Sequence, residues 1–202
     1  MGRTSDADQR LMDAALSLMW EESYGAMSVD DICRRADVRK GSFYYYFTSK
    51  EELAVKALDR MWQDHKKQLD EVFSPSIPPI DRIRARCAAV YEFQSQMKAE
   101  HGHVLGCPLC SLGSEICNLH EAIRDKVRSI LEIKTQYWEA AIRDGQAAGL
   151  IEPGDPVCKA RCAMAFFEGM IAQARLHDDV ERLSDFADRM CDHLGVRLPV
   201  TA

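Results

Sequence analysis

The sequence predicts an all-α protein of about nine helices, three short ones at the N-terminus and longer ones behind. Three observations carry this. Apolar residues recur at helical spacing almost everywhere, as in Leu11, Ala14, Ala15, Leu18 and Met19. No run alternates with period two, as a half-buried strand would. Helix-start signals and proline or glycine breaks punctuate the chain at intervals of helical length.

The elements follow in order. The first helix begins near Ser5 or Asp6 and ends before Gly25. "SVDD", Ser28 to Asp31, reads as a capping box opening a short helix to about Ala36. "DV" is a tight turn, and a second short helix starts near Arg39. "TSKEEL" starts the next, with Thr48 and Glu51 or Ser49 and Glu52 at capping-box spacing. It runs past Trp62 and Leu69 to about Phe73, where the prolines of "SPSIPPI" end it. A helix from about Asp81 to Ala99 precedes the loop "EHGHVLGCP". Pro108 suits a first turn, so a short helix reaches about Asn118. A long helix spans Glu121 to Ala148, with Gly149 as its stop. After "EPGDP", two helices run from Pro156 to His177 and from Val180 to Leu194.

The 202 residues are 47% hydrophobic, ample for a core, and carry a formal charge of −6. Acidity argues against a nucleic-acid partner, but a phosphate backbone feels the local patch. Arg34, Arg35, Arg39, Lys40 and Lys50 form one. No apolar run reaches the ~18 residues of a membrane helix. The polar start "MGRTSDADQRL" gives no signal peptide, so a cytoplasmic location and no membrane partner are expected. The eight cysteines are then expected as thiols.

Two short helices joined by "ADV" suggest a helix-turn-helix, whose second helix enters the DNA major groove. Lys40 and Arg39 suit phosphates or guanine edges. Gly41 lets the backbone approach closely. Tyr44, Tyr45 and Tyr46 offer hydroxyl donors and flat rings. Phe43 and Phe47, four apart, would anchor the helix inward, and Lys50 would add charge at the next helix start. The bland reading is an aromatic-rich core helix. Successive side chains differ by about 100°, however, so three adjacent tyrosines cannot all point inward.

Over Gln9 to Leu53, "LMDAALSLMWEESYGAMSVDDICRRADVRKGSFYYYFTSKEEL" resembles the DNA-binding domain of TetR-type transcriptional regulators, contiguously and without gaps. The resemblance implies a homodimer whose paired recognition helices read a palindromic operator on double-stranded DNA. It places Ser28, Arg39, Lys40, Ser42, Tyr44, Tyr45, Tyr46 and Lys50 at positions that commonly contact DNA. It also implies a DNA-binding domain over residues 1–50 and an effector-binding and dimerisation domain over 51–202, with no cofactor. Three residues depart from the family pattern: Asp37 replaces a turn glycine, Arg39 a serine or threonine cap, and Tyr46 a histidine.

By the same resemblance the last two long helices form the dimer, with Met164, Phe167 and Met170 suited to the interface; intramolecular core is the competing reading. A small apolar effector would meet Trp62, Tyr91, Met97, Trp138 and Phe166, each of which also reads as core. In "HGHVLGCPLCSLGSEICNLH", Cys107, Cys110 and Cys117 fall roughly on one helix face, flanked by His101, His103 and His120. They read as inert buried thiols, as a redox or electrophile sensor, or as a soft-metal site. Cys158 and Cys162, one turn apart, read as packing residues. The expected function is a one-component regulator, a repressor released by a thiol-reactive or small apolar effector. The rivals are a thiol-dependent enzyme with His101 or His103 as base, for which no triad is visible, and a helical scaffold that has lost DNA binding.

Overall fold

The computed structural model describes residues 6–116 and 119–197. Its elements are α1 (Ala7–Glu21), α2 (Val29–Ala36), α3 (Lys40–Tyr46), α4 (Lys50–Val72), α5 (Pro79–His101), α6 (Pro108–Ile116), α7 (Glu121–Ala147), α8 (Pro156–Leu176), a 3-10 turn (Val180–Leu183) and α9 (Phe186–Leu194). The all-α expectation holds. Among the described residues the only extended pairing is a single antiparallel bridge, Ile151 to Val196. None of the described helices is long and apolar enough to cross a membrane.

The expected last helix is broken in two. The Asp179 carboxylate accepts from Glu181 N (3.1 Å), and the Ser184 hydroxyl donates to the Glu181 carbonyl (2.7 Å). Asp and Ser side chains compete with the helical ladder in this way, so Val180 to Leu183 stay a 3-10 turn and α9 starts afresh at Phe186.

The chain forms two compact units that divide differently from a cut at residue 50. One takes the described residues up to His65 together with Pro108–Ile130; the other takes Lys66–Cys107 and the described residues from Leu131 onward. The chain therefore leaves the first unit and returns, which continuity along the sequence does not reveal.

In the first unit α1 packs on α2, α3 and α6. Leu11, Ala15, Ile32, Phe43, Leu53 and Ala57 are fully buried there. Complete burial of a ring such as Phe43 contributes about 1.5–3 kcal/mol. The capping box of α2 forms as expected: Ser28 Oγ accepts from Asp31 N (3.2 Å), and Asp31 Oδ2 accepts from Ser28 N (3.0 Å). The Ser28 bonds, above all the hydroxyl, hold the Asp31 carboxyl below its ordinary range. Before α4, Ser49 Oγ accepts from Glu52 N (3.0 Å), while the Glu52 carboxylate reaches one residue further back to Thr48 N (2.7 Å). Lys56, followed by Thr48, pulls the Glu52 carboxyl down to about 2.

Asp37 ends α2 in the left-handed region, at φ 51°. Its amide and that of Val38 close the helix on Arg34 O (3.3 Å) and Cys33 O (2.9 Å). A left-handed non-glycine residue costs about 1–2 kcal/mol, of which Asp recovers part, while glycine adds unfolded-state entropy of about 0.4–1 kcal/mol. Asp37→Gly is therefore expected to raise stability by about 0.5 kcal/mol and Asp37→Val to lower it by about 1–2 kcal/mol, read as urea midpoints.

In the second unit α5 packs on α9, and α8 on α9 and the 3-10 turn. Ile83, Cys87, Trp138, Ile142, Phe167, Phe186 and Met190 form its core. The proline-rich connection is tied down by the buried Arg82. Its guanidinium donates to the carbonyls of Ile77 (2.6 Å) and Pro75 (3.0 Å) and pairs with Asp144 (2.5 Å). Loop carbonyls that prolines leave without local partners are thereby satisfied.

Candidate nucleic-acid interface and thiol site

In α3, Phe43 (0% exposed) and Phe47 (3%) anchor the helix, while Tyr44 (57%) and Tyr45 (80%) project into solvent. Large exposed aromatics on a short helix contradict the core reading and leave two rings for a partner. Tyr46 is half-buried, edge-on to Tyr45 with ring centroids 4.8 Å apart. Lys40 opens the helix and pairs with Asp30 of α2 at 2.8 Å, both side chains exposed. Asp30 raises the Lys40 pKa, so the ammonium stays charged. Arg39 is exposed at the N-cap, where its side chain makes no capping bond, and Ser42 is half-buried one turn on. Ser28 is exposed, and its hydroxyl caps α2.

The basic patch is smaller than the sequence suggests. Arg34 pairs with Asp31 (3.0 Å) and Arg35 with Glu21 (3.2 Å). Lys50 corrects an expectation. Its ammonium does not point outward but donates to the carbonyls of Tyr24 and Met27, both at 2.9 Å, and lies 4.2 Å from the Tyr24 ring centroid. It fastens the start of α4 to the turn between α1 and α2. Burial lowers its pKa, opposed by Glu115.

Glu115, on α6, was missed by sequence reasoning. Its carboxylate accepts from Tyr24 N (3.1 Å) and Gly25 N (2.6 Å) and so clamps the same turn. A Cβ at Gly25 would sit 3.0 Å from a Glu115 oxygen. His120 packs edge-on to Tyr24 (4.8 Å) and lies 3.5 Å from Glu51. Burial, with Glu51 and Glu115 nearby, pushes the Tyr24 hydroxyl up to about 12. Nothing local in "GSEIC" marks Glu115, because its partners lie about 90 residues away (|i−j| = 91 and 90).

The expected effector residues divide between the units. Trp62 (5% exposed) and Cys110 belong to the first. Tyr91, Met97, Cys107, Trp138 and Phe166 belong to the second. Cys117 lies outside the described residues. Trp138 is 2% exposed, edge-on to Phe73 (5.7 Å) and Phe167 (5.3 Å), and Met97 is 9% exposed, which makes both core residues. Tyr91 donates its hydroxyl to Glu181 (3.2 Å). Phe166 is half-buried, stacked on His193 of α9 (4.9 Å) and tilted against the core ring of Phe186 (6.2 Å).

Cys107, directly before α6, is set by a two-way amide clamp on its neighbour. Buried Gln94 donates to Gly106 O and accepts from Gly106 N, each at 3.0 Å. Gly106 has φ +77°, which glycine adopts without strain, and a Cβ there would lie 2.8 Å from Arg175 Cδ. Deeper in this unit is a buried charge group that sequence reasoning did not single out. Lys134 (side chain 5% exposed) pairs with Glu168 (13%) at 3.0 Å. Burial opposes the Lys134 charge, but Glu168 and Cys107 outweigh it and raise the pKa. Half-buried Arg86 lies 5.1 Å from the Phe167 ring centroid; desolvation lowers its pKa against Glu168, Cys87 and Cys107. The signal was present: Lys134 interrupts the apolar stripe Ile123, Val127, Ile130, Trp138 of α7.

The dimer residues also need correction. Met164 (7% exposed) and Phe167 (0%) belong to the chain's own core, along the inward stripe of α8 with Ala160, Ala163 and Ile171. Met170 is half-buried. The exposed residues of α8 are instead Val157, Cys158, Arg161, Cys162, Ala165, Gly169, Ala172, Gln173 and Leu176. Most of the large apolar side chains of α8 fill the interior, while Val157 and Leu176 at its two ends are exposed. Cys158 and Cys162 are exposed in the single chain.

Residues 11–57 match the model for bacterial regulatory proteins of the tetR family, and residues 79–190 match the tetracyclin repressor-like C-terminal domain. The transcriptional regulator AcuR of Cereibacter sphaeroides is 30% identical over 193 residues, covering 95% of this chain and 86% of that protein. The HTH-type transcriptional repressor NemR of Escherichia coli K12 is 27% identical over 184 residues, 89% of each. A regulatory protein TetR from Rhodobacter sphaeroides has a crystal structure that superposes with TM-score 0.82 at 29% identity, covering 94% of this chain and 99% of that one. Reduced E. coli NemR shares the fold, with TM-score 0.80 at 22% identity over 97% and 100% of the chains. A family of DNA-binding regulators accounts for the exposed tyrosines and leaves no place for the thiol-dependent enzyme. Its two domain models together span most of the sequence, and the chain is a member of the TetR family of transcriptional regulators.

Proposed function

We propose that the chain represses transcription as a homodimer on a palindromic operator, in the cytoplasm, and is released when a thiol-reactive compound reaches Cys107. Tyr44, Tyr45, Lys40 and Arg39 read the operator, with Ser28, Ser42 and Tyr46 as the remaining contacts. The open small-residue face of α8, with Met170 and Phe166 beside it, meets the second copy. The repressor assignment agrees with the name of the NemR relative.

One observation carries the effector reading. Lys134 and Arg86 are both in electrostatic interaction with Cys107 inside the second unit. Cations beside a cysteine favour the nucleophilic thiolate. Cys87 of the same unit also faces Arg86 and Arg84, but there burial dominates and pushes the thiol up to about 12. Covalent addition at Cys107 puts a bulky adduct beside the Lys134–Glu168 pair and Arg86, which favours a rearranged state.

Stoichiometric alkylation with iodoacetamide tests this by gel shift. Modification at Cys107 is expected to weaken operator binding at least about tenfold, a shift of about 1.4 kcal/mol between states. Cys107→Ser should bind operator and ignore the reagent. Unchanged binding after complete modification at Cys107 would overturn the effector reading.

A further inference from the structure

We infer that Cys158 and Cys162 form a dithiol site for a soft, thiol-seeking centre such as trivalent arsenic, and that occupancy opposes subunit pairing. The pairing part rests on the dimer reading above; the binding part does not.

Both thiols are exposed on α8, four residues apart. On a helix that spacing puts the two side chains on one face, with Cβ atoms about 5–6 Å apart. A disulfide needs Cβ atoms about 3.5–4.5 Å apart. An intact α8 therefore keeps these cysteines from oxidising onto each other. A single soft atom with bonds of about 2.3 Å to each sulfur, the length of a zinc–thiolate bond, spans the wider gap after rotation about χ1. The helix itself is well fixed there. Pro156 occupies its first turn, and the Asp155 carboxylate accepts from the amides of Val157 (3.1 Å) and Cys158 (3.3 Å). The pair is thus held at one spacing instead of lying on a loop.

The chemistry needs no oxidant. Phenylarsine oxide, R–As=O, takes two thiols to give R–As(S)₂ and water. Two S–H bonds and the As–O bond break, two As–S bonds form, and the oxygen leaves with both thiol protons. Arsenic stays trivalent. The product places an aryl-sized group on the face that continues through Ala165, Gly169 and Ala172, the surface offered to a second copy. Close approach of two helices through small residues does not tolerate such a group.

The experiment uses the full chain carrying Cys107→Ser, Cys110→Ser and Cys117→Ser, so that these thiols do not compete. Cys33, Cys87 and Cys191 are buried. With phenylarsine oxide, mass spectrometry should show one phenylarsenic per chain, resistant to excess monothiol and removed by a dithiol. Sedimentation should show dimer converting to monomer. Adding Cys158→Ser or Cys162→Ser should each weaken retention at least about tenfold, because chelation is lost. Cys162→Ser with Ala165→Cys, two turns from Cys158, should not restore it. Retention of the adduct in either single variant, or a bound adduct that leaves the subunit equilibrium unmoved, overturns the inference. An untreated protein that sediments as monomer instead removes the dimer reading, and adduct retention then still decides the site.

Discussion

Replacing Tyr44 and Lys40 together with alanine is expected to reduce operator affinity at least about 30-fold, from about 1–2 kcal/mol for each lost contact. Both side chains are exposed, so the thermal midpoint should move little: surface changes of this kind stay within about 0.5 kcal/mol. The fold then survives while the function goes. Removing Lys40 should also lower the salt dependence of binding by about one unit per subunit, whereas loss of Tyr44 should leave the salt slope alone. Asp30 adds an internal check. It holds Lys40 at 2.8 Å in the free chain, in an exposed pair of little net stability. Asp30→Ala should release the ammonium for phosphate and leave operator binding as strong or stronger. Gel shifts at several salt concentrations read all three outcomes. A double variant that binds like the wild type would contradict the assignment of this surface.

Lys134→Met is expected to destabilise the second unit by about 3–5 kcal/mol, because it removes the ammonium that pairs with the largely buried Glu168 carboxylate at 3.0 Å. Replacing the pair together, Lys134→Met with Glu168→Leu, should recover most of that loss, since a buried ion pair is often matched by apolar side chains of similar volume. Urea unfolding followed by circular dichroism separates the cases. A single-variant loss below about 1 kcal/mol would show that the pair is not desolvated in solution. The pH dependence has a definite sign. The folded pKa of Lys134 is raised, so its contribution is complete below the ordinary lysine value near 10.5 and is lost as pH climbs through the raised folded value. Alkaline titration should therefore weaken the wild type relative to the double variant.

Helices whose signals are local were legible in the sequence. The Ser28–Asp31 box, the Ser49 start, the Pro108 and Pro156 first turns and the proline break after Phe73 all mark their elements within a few residues. The one misjudged element, the last helix, failed for a local reason too: Asp179 and Ser184 turn the backbone where apolar spacing alone suggested continuity. Burial direction was legible where side-chain size forced it, as in Phe43 and Phe47 inward with Tyr44 and Tyr45 outward. It was not legible on α8, where Met164 and Phe167 suit either a core or an interface, and only the packing of Trp138 and Phe186 around Phe167 decides. Lys50 looked like a DNA contact because its charge is visible in sequence. The carbonyls of Tyr24 and Met27 that capture it are not. Glu115 and the Lys134–Glu168 pair were hidden for the same reason, since each is defined by a partner far along the chain.

Nuclease footprinting of the purified chain on the DNA flanking its own gene tests the central claim most directly. Two protected half-sites of related, inverted sequence should appear, centred a whole number of helical turns apart at roughly 34–36 Å per turn. They should fill together as protein is added. Protection of a single isolated half-site, or none at concentrations where the chain is folded, would contradict the account.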